Sequence, residues 1–279
     1  MLAKTQFLAY KSYLWTSALM IDKYDYAKKV GANFTVLDLE DSVPIAKKDE
    51  ARNNAITYLK HKHEHPYGLR INSIRTQFGI NDLNALIDSM VRPKIIFLPK
   101  VESAEEIVIV NQLLSSGSKQ FALCAIIESS RGLKAIHEIA KIGNNLQLLL
   151  YGSADFSAEL GVRTDWEGFD LVRQQLVLAA AYGEIAAIDT ANFAISDLKL
   201  LKMSCRSAKN LGFVGKVAIH PSQVSIINQE FSPTKKEVIQ AKTILKNGKQ
   251  TESSIFIVAN KMHGPPMIKA AQRLLARMA

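Results

Sequence analysis

The sequence lacks the features that would place the protein in a membrane or outside the cell. It contains no run of 18 apolar residues, so no transmembrane helix is expected. Its first residues alternate polar and apolar side chains too soon to form the apolar segment of a signal peptide. Only two cysteines occur, Cys124 and Cys205, in apolar surroundings and without CxxC spacing. These absences predict a cytoplasmic protein with buried free thiols.

The sequence also lacks the short motifs that bind nucleotides or mark a serine hydrolase. No P-loop, dinucleotide-binding fingerprint or Gly-x-Ser-x-Gly segment is present. The net charge of +9 is scattered along the chain, without a basic stripe interleaved with aromatic residues. We therefore expect no nucleic-acid partner and no membrane partner. The positive charge indicates either a solvated surface or an electric field that attracts acidic metabolites.

Apolar segments of strand length recur about every 25 to 35 residues, with amphipathic helical segments between them. This alternation is typical of βαβ units and a parallel sheet. The chain length of 279 residues suits one α/β barrel, and 48% hydrophobic residues suffice for its core. The eight predicted strands are Ser12–Ser17, Thr35–Leu39, Tyr67–Ile71, Lys94–Leu98, Phe121–Ile127, Leu146–Tyr151, Glu184–Ile188 and Lys216–Ile219.

The predicted architecture is an α/β (β/α)8 TIM barrel over residues 1–233, followed by a C-terminal helical extension over residues 234–279. The extension is expected to contain helix Thr234–Lys246, an apolar segment Ile255–Val258 and helix Pro266–Arg277. We expect it to pack on a neighbouring subunit. The barrel helices are predicted at Pro44–Lys60, Asn81–Met90, Ala104–Leu114, Arg131–Lys141, Phe169–Tyr182 and Asp197–Leu211, with Gly143, Gly183 and Gly212 at helix ends.

Polar residues follow nearly every predicted strand, at the end of the barrel where such folds carry their active sites. Because strands five and six are neighbours, Glu128 and Asp155 at their ends are expected to reach a common point. Carboxylate oxygens with open positions for water and substrate suit Mg²⁺. The residues at the strand ends are Asp38, Glu40, Asp41, Arg70, Asn72, Lys100, Glu128, Gly152, Ser153, Asp155, Asp189 and His220.

Two further acids follow strand two and are candidate catalytic residues. Glu40 and Asp41 would supply a third metal ligand or bind the water molecules on the metal. Each acid of this group has an ordinary alternative, a salt bridge in a loop or at a helix N-terminus. For Asp41 the alternative is an N-cap ahead of Pro44.

Arg70 is a candidate for both catalysis and substrate binding. Its guanidinium would hold a carboxylate in a bidentate contact or stabilise a developing enolate oxygen, or else neutralise the nearby acids. The turn Gly152–Ser153–Ala154 offers backbone N–H groups that would bind a substrate carboxylate, or it is simply a tight turn. Lys100, at the end of strand four, is a further candidate substrate-binding residue.

The histidines are weaker candidates. His61, His63 and His65 have spacing that suggests a metal site, but they lie between a helix and a strand, where an exposed polar loop is favoured. His220 precedes Pro221 and either acts in catalysis or orients its neighbours through hydrogen bonds. The second interpretation is preferred.

Seven segments in order resemble one family, the citrate lyase β-subunit-like proteins of the HpcH/HpaI aldolase superfamily. The resemblance runs from about Asn33 to Ala241, and it depends on the order and spacing of segments that are individually modest. These segments are LDLEDSV (Leu37–Val43), LRIN (Leu69–Asn72), LPKVES (Leu98–Ser103), IIESSRGL (Ile126–Leu133), YGSADFSAELG (Tyr151–Gly161), AIDT (Ala187–Thr190) and LGFVGKVAIHPSQV (Leu211–Val224).

The resemblance implies a TIM barrel that assembles as a homotrimer or a hexamer. It implies Mg²⁺ held by Glu128 and Asp155, with Glu40 and Asp41 nearby and Arg70 facing the substrate. Such proteins cleave or form carbon–carbon bonds in citryl-, malyl- or citramalyl-thioesters, and some hydrolyse the thioester. The expected partner is therefore a small 2-oxo or hydroxy acid, free or bound to coenzyme A or a carrier protein.

The chain departs from the family pattern in two places. The family's N-terminal Pro-Gly turn, which helps to seat coenzyme A, is replaced here by Thr16-Ser17-Ala18 within KSYLWTSALMIDKYDYA. In the C-terminal segment NKMHGPPM, Gly264 stands where the family carries an aspartate that acts as acid or base in a neighbouring subunit. His263 would replace that aspartate only if the geometry of the extension shifts.

The sequence thus predicts a Mg²⁺-dependent carbon–carbon lyase that acts on a β-hydroxy acid or its acyl thioester. Two alternatives stay open. One is an acyl-CoA thioester hydrolase on the same scaffold, and the other is a non-catalytic protein that binds 2-oxo acids for regulation.

Overall fold

Eight parallel strands close into a barrel in the order of the chain, each hydrogen-bonded to the next and β8 paired with β1. The computed structural model describes residues 7–61, 66–115, 121–143, 145–250 and 255–278. The strands are β1 (Ser12–Ser17), β2 (Phe34–Asp38), β3 (Tyr67–Arg70), β4 (Ile95–Leu98), β5 (Ala122–Ile127), β6 (Leu146–Tyr151), β7 (Ala186–Asp189) and β8 (Gly215–Ala218). All eight predicted strands are confirmed, with ends that differ by at most two residues.

Helices follow the strands and surround the barrel. They are α1 (Ile21–Lys29), α2 (Lys48–Leu59), α3 (Gln77–Ser89), α4 (Ala104–Leu114), α5 (Ser130–Lys134), α6 (Ile136–Lys141), α7 (Ser153–Leu160), α8 (Phe169–Tyr182), α9 (Leu198–Leu211) and α10 (Pro221–Phe231). The predicted (β/α)8 TIM barrel is confirmed. Across the parts of the chain that the structure describes, no helix combines the length and apolar character needed to cross a membrane.

Two apolar cores explain why the strands are apolar on both faces. Side chains such as Tyr13, Phe34 and Phe97 fill the interior of the barrel. Their neighbours along the strands, such as Leu14 and Ile96, pack outward against the helices. Successive residues of a strand point to opposite faces, so each strand contributes to both cores.

Several helix boundaries differ from the prediction, for local reasons. Helix α3 begins four residues early because Thr76 caps it, its side chain accepting a hydrogen bond from the N–H of Gly79. The predicted helix Arg131–Lys141 is divided into α5 and α6 around Ala135. Gly212 ends α9 in the left-handed conformation as expected. After Gly183, the positive φ falls instead on Glu184.

The C-terminal extension is a small unit of two helices and a hairpin: α11 (Lys235–Gln250), strands β9 (Phe256–Val258) and β10 (Lys261–His263), and α12 (Pro265–Ala276). The predicted apolar segment Ile255–Val258 is therefore one half of an antiparallel hairpin. Ala241, Ile244 and Ala271 form the unit's own apolar cluster.

Candidate active site

Glu128 and Asp155 lie on one cavity at the carboxyl end of the barrel, as their strand positions predict. Glu128 directly follows β5 and is 5% exposed, whereas Asp155 lies in the first turn of α7 and its side chain is 37% exposed. The cavity has a volume of about 530 Å³. Its lining residues are Arg75, Lys100, Glu102, Glu128, Ser129, Ser130, Arg131, Asp155 and Glu159.

Glu128 is fixed by its surroundings and crowded by other acids. Its Oε1 atom accepts a hydrogen bond from the backbone N–H of Lys100 at 2.7 Å. Burial raises the pKa of Glu128 well above its ordinary value, and the nearby carboxylates of Glu40 and Asp155 raise it further. Burial and these two acids together outweigh the effect of the nearby cations Arg70 and Lys100 on this pKa.

Lys100 connects acids that follow β2, β5 and β6. It has a positive φ of 54°, which is rare for a residue with a side chain. While its N–H contacts Glu128, its Nζ atom is bound to Glu40 and lies 3.9 Å from an oxygen of Asp155. Burial alone would lower the pKa of Lys100, but its hydrogen bond to Glu40 and the nearby acids raise it overall. Lys100 thus remains a cation at the edge of the cavity.

Arg70 is enclosed by acids that follow β2. Its Nε and Nη2 atoms donate to the two oxygens of Asp38 at 2.6 and 2.7 Å, and its Nη1 atom lies 2.8 Å from Glu40. The guanidinium also stacks on the ring of Trp15, 4.5 Å from the ring centroid. Burial would raise the pKa of Asp38, but the contact with Arg70 lowers it overall. The acid-neutralising role considered for Arg70 is therefore present in the structure.

Glu40 and Asp41 differ in exposure although they are adjacent. Glu40 is buried between Arg70 and Lys100, and its pKa is raised because burial outweighs both cations. Asp41 is largely exposed and lies 3.5 Å from Lys100 Nζ. The N-cap considered for Asp41 is wrong, because the helical turn that follows begins after Pro44 and has no side-chain cap.

The turn after β6 has fewer free N–H donors for a substrate carboxylate than the sequence suggests. The N–H of Gly152 donates to the carbonyl of Ile127 at 3.1 Å, and the N–H of Ser153 lies 3.3 Å from the hydroxyl of Thr190. Two of the three expected N–H donors are therefore already engaged. Ala154 lies in the first turn of α7, where N–H groups have no partner within the helix.

Gly152 must be a glycine, because a β-carbon there would lie 2.5 Å from Oε2 of Glu128 and 2.7 Å from its Cβ. We expect Gly152→Ala to displace Glu128 and to lower Mg²⁺ affinity by about 10- to 100-fold, the usual loss when the support of a metal ligand is disturbed. Calorimetric titration with Mg²⁺ measures this. The control is Ala158→Ser on the exposed face of α7, the helix that directly follows Gly152. Unchanged affinity in Gly152→Ala would show that Glu128 need not stay where it is.

Two polar residues at strand ends do not line the cavity and instead form contacts that stabilise the fold. Asp189 points outward and forms a buried ion pair with Lys216 at 2.6 Å and a second with Arg173 at 3.2 Å. Asn72 donates to Asp82 through its N–H and its side-chain amide, at 2.8 and 2.7 Å. These contacts tie the barrel to its surrounding helices.

The histidines are not gathered at the site. His220 caps α10, its ring accepting from the N–H of Ser222 at 3.2 Å, which agrees with the preferred orienting role. His61 is exposed on the surface, and His63 and His65 lie outside the described residues. In the extension, His263 is buried and stacks on Phe256 with ring centroids 5.9 Å apart.

Several residues near the cavity were not singled out from the sequence. They include Trp15 beneath Arg70, and Arg75, Glu102 and Arg131 on the cavity wall. A signal existed for Arg75, which follows β3 closely and so falls under the same strand-end rule as Arg70. Nothing in the sequence indicates that Arg75 and Arg131 meet, because 56 positions separate them.

The donor set fits a hard divalent cation. Among the described residues, no group of three His, Cys, Asp or Glu side chains is placed to hold an ion. Mg²⁺ does not need such a group, because it usually binds through one or two carboxylates and keeps water or substrate oxygens as its other ligands. The carboxylates of Glu128 and Asp155, with the raised pKa of Glu128, meet that description.

The closed barrel, with its charged residues gathered at the carboxyl ends of the strands, defines a (β/α)8-barrel protein of the kind whose active site lies at that face. The sequence of residues 11–221 matches the model of the HpcH/HpaI aldolase/citrate lyase family. The chain therefore belongs to this family, and the resemblance described above is confirmed.

Named relatives support the same assignment. Mitochondrial citramalyl-CoA lyase of Homo sapiens is 32% identical over 85% of this chain and 76% of its own length. The crystal structure of RipC from Yersinia pestis is 38% identical, covers 83% of this chain and 99% of that one, and has a TM-score of 0.74. CitE from Mycobacterium tuberculosis, in complex with magnesium, acetoacetate and coenzyme A, is 26% identical over 97% and 98% of the two chains, with a TM-score of 0.80.

Proposed function

We propose that this protein is a Mg²⁺-dependent carbon–carbon lyase that cleaves a β-hydroxy acid, carried as an acyl thioester, into a 2-oxo acid and an acyl product. The observation that carries the proposal is the Glu128–Asp155 pair on a cavity edged by Lys100. The citramalyl-CoA lyase activity of one relative, and the magnesium and coenzyme A bound by another, support it.

In this proposal, Glu128 and Asp155 hold Mg²⁺ and also keep the cavity negative enough to attract it. When bound, Mg²⁺ supplies a Lewis acid that draws electrons from the oxygen of the 2-oxo acid. Glu40 and Asp41 supply a third ligand or accept hydrogen bonds from water molecules around the ion. The positive charge of Lys100, beside both groups of acids, fixes their positions.

Arg70, Lys100 and the turn Gly152–Ser153–Ala154 are assigned to the substrate. A guanidinium has five N–H donors. Three of those of Arg70 donate to Asp38 and Asp41, and the guanidinium also forms an ion pair with Glu40, which leaves two N–H groups outside these hydrogen bonds. The positive charges of Arg70 and Lys100 stabilise the negative charge that develops as the carbon–carbon bond breaks.

The bond that breaks joins the hydroxyl-bearing carbon to the carbon next to the thioester carbonyl. The hydroxyl group loses its proton and becomes the carbonyl of the 2-oxo acid. The electron pair of the broken bond remains on the acyl fragment, which then takes up a proton. No oxidant or reductant is required.

The extension over residues 234–279 is assigned to a neighbouring subunit of a homotrimer or hexamer. Ile257 and Met262 are register partners on its hairpin and are 72% and 69% exposed, which favours an apolar contact. Gly264 cannot transfer a proton, and His263 packs inside the extension. The protonating group is therefore water or a side chain of the barrel.

We also assign the protein to the cytoplasm, because its two free cysteines are buried.

The proposal is tested by incubating the protein with citramalyl-, malyl- and citryl-CoA, with and without Mg²⁺. A lyase releases 2-oxo acid and an acyl-CoA in equal amounts, without free thiol, and only when Mg²⁺ is present. Free coenzyme A without 2-oxo acid identifies the hydrolase. Binding of oxaloacetate or pyruvate by calorimetry, without any product, identifies the non-catalytic alternative. Full activity in metal-free buffer contradicts the proposal.

A further inference from the structure

The cavity has a second charged wall that the proposed lyase chemistry does not use. Glu128 and Asp155 line one part of it, and Arg75 and Arg131 line another. We call Arg75 and Arg131 the outer arginine pair. The volume of the cavity, about 530 Å³, lies within the usual range for small-molecule sites, so one ligand can contact both walls.

The outer arginine pair meets at a single carboxylate. Arg75 contacts Oε2 of Glu102, and Nη1 of Arg131 lies 3.5 Å from the same oxygen. Glu102 is held in place by the hydroxyl of Ser129, which donates to its Oε1 at 3.0 Å. Glu102 is therefore shared between two guanidinium groups, and Nε of Arg75 also lies 3.9 Å from Glu106.

The two arginines are held to different degrees. Arg75 also donates from Nη2 to the carbonyl of Lys100 at 2.5 Å, which fixes it beside the acid cluster. The side chain of Arg131 is 78% exposed, and its one described contact is at the limit of a hydrogen bond. Arg131 therefore has N–H donors directed away from Glu102. Glu159, the other acid of this wall, is engaged by the N–H and hydroxyl of Ser130.

We propose that the outer arginine pair is an anion subsite that binds a second anionic group of the substrate, while the 2-oxo acid end lies at Glu128 and Asp155. Guanidinium groups bind carboxylates and phosphates through paired N–H bonds, which makes both groups suitable ligands. The second anionic group is a further carboxylate on the hydroxy acid or a phosphate of its thioester carrier. The location of the 2-oxo acid end in this inference rests on the proposed function.

The subsite would give the enzyme a preference for substrates with two separate anionic groups. A substrate with only one anionic group would leave the exposed N–H groups of Arg131 to water. The preference should therefore appear in binding, and in KM more than in kcat, because the pair would contact a group of the substrate that does not react.

The test compares Arg131→Gln with the wild-type protein by calorimetry in Mg²⁺ buffer. Two pairs of probes are used: oxaloacetate with pyruvate, which differ in one carboxylate, and coenzyme A with pantetheine, which differ in phosphates. Loss of one charged hydrogen bond should weaken binding of oxaloacetate, coenzyme A or both by about tenfold, with pyruvate and pantetheine changed less than about twofold. Loss for oxaloacetate alone identifies a carboxylate site, and loss for coenzyme A alone identifies a phosphate site.

The matched control is Arg163→Gln, another exposed arginine paired with an acid but away from this cavity. A second variant, Arg75→Gln, should weaken the same probe, and Arg131→Lys should restore part of the affinity. Unchanged affinity for all four probes, or an equal loss of affinity for both members of each pair, would overturn the proposed subsite. If the wild type forms no 2-oxo acid but Arg131→Gln still weakens one charged probe, the lyase proposal fails and the subsite stands.

Discussion

Replacing Glu128 with glutamine is expected to reduce carbon–carbon cleavage by roughly a hundred- to a thousandfold, a loss comparable with removal of one preorganised electrostatic group from an active site. Glutamine keeps the size of the side chain and an oxygen that accepts from the N–H of Lys100. It removes the negative charge that a hard cation requires. The measurement is the rate of 2-oxo acid release at saturating Mg²⁺.

Asp155→Asn should show a similar loss, because both carboxylates face the same cavity. Glu138→Gln is the control, since Glu138 is exposed on α6 and distant in the fold from the carboxyl end of the barrel. A variant of Glu128 or Asp155 with wild-type turnover would remove that residue from the metal site. Equal losses in the control would point to an effect of net charge instead.

Replacing Arg70 with methionine is expected to destabilise the fold by about 3–5 kcal/mol, as removal of one partner of a buried ion pair typically does. Asp38 is buried and is contacted by Arg70 through both oxygens, and Glu40 contacts the same guanidinium. Without Arg70 these carboxylates would remain in the interior with too little positive charge. Urea denaturation measures the loss in the free energy of unfolding.

A double variant separates the structural role of Arg70 from its chemical one. Arg70→Met combined with Asp38→Asn should recover part of the lost stability, because one uncompensated charge is gone. Turnover should stay low, since the cation that we assign to the substrate is still missing. Recovery of full turnover in the double variant would show that Arg70 only neutralises Asp38. A single variant as stable as the wild type would contradict the electrostatic account of this cluster.

The strands could be predicted because a barrel strand is buried on both faces and therefore forms a short continuous apolar segment. The site followed from the same prediction, since all parallel strands end at one face. The positions of Glu128, Asp155, Lys100 and Arg70 at this face were predicted in this way. Helices α1, α7 and α10 were not predicted. The first and second have only nine and eight residues, too few for a clear periodic apolar pattern. In α10 the pattern is present, with Val224, Ile227 and Phe231 at helical spacing, and it was missed.

The direction of a side chain at a strand end is harder to predict than its position. Asp189 is the last residue of β7 and Glu128 directly follows β5, yet Asp189 points outward to Lys216 and Glu128 lies on the cavity. The difference depends on where the strand ends relative to its alternation of faces, and a shift of one residue reverses it. The positive φ of Lys100 and the shared contact of Arg75 and Arg131 arise from tertiary structure and leave no local pattern.

The most direct test of the central claim is a calorimetric titration of Mg²⁺ into the wild-type protein, Glu128→Gln and Asp155→Asn, repeated at two pH values. The account predicts that the wild type binds one ion per chain and that each variant loses this binding. It also predicts weaker wild-type binding at the lower pH, because burial raises the pKa of Glu128 and its proton must leave before the ion binds. Wild-type affinity in both variants would contradict the account.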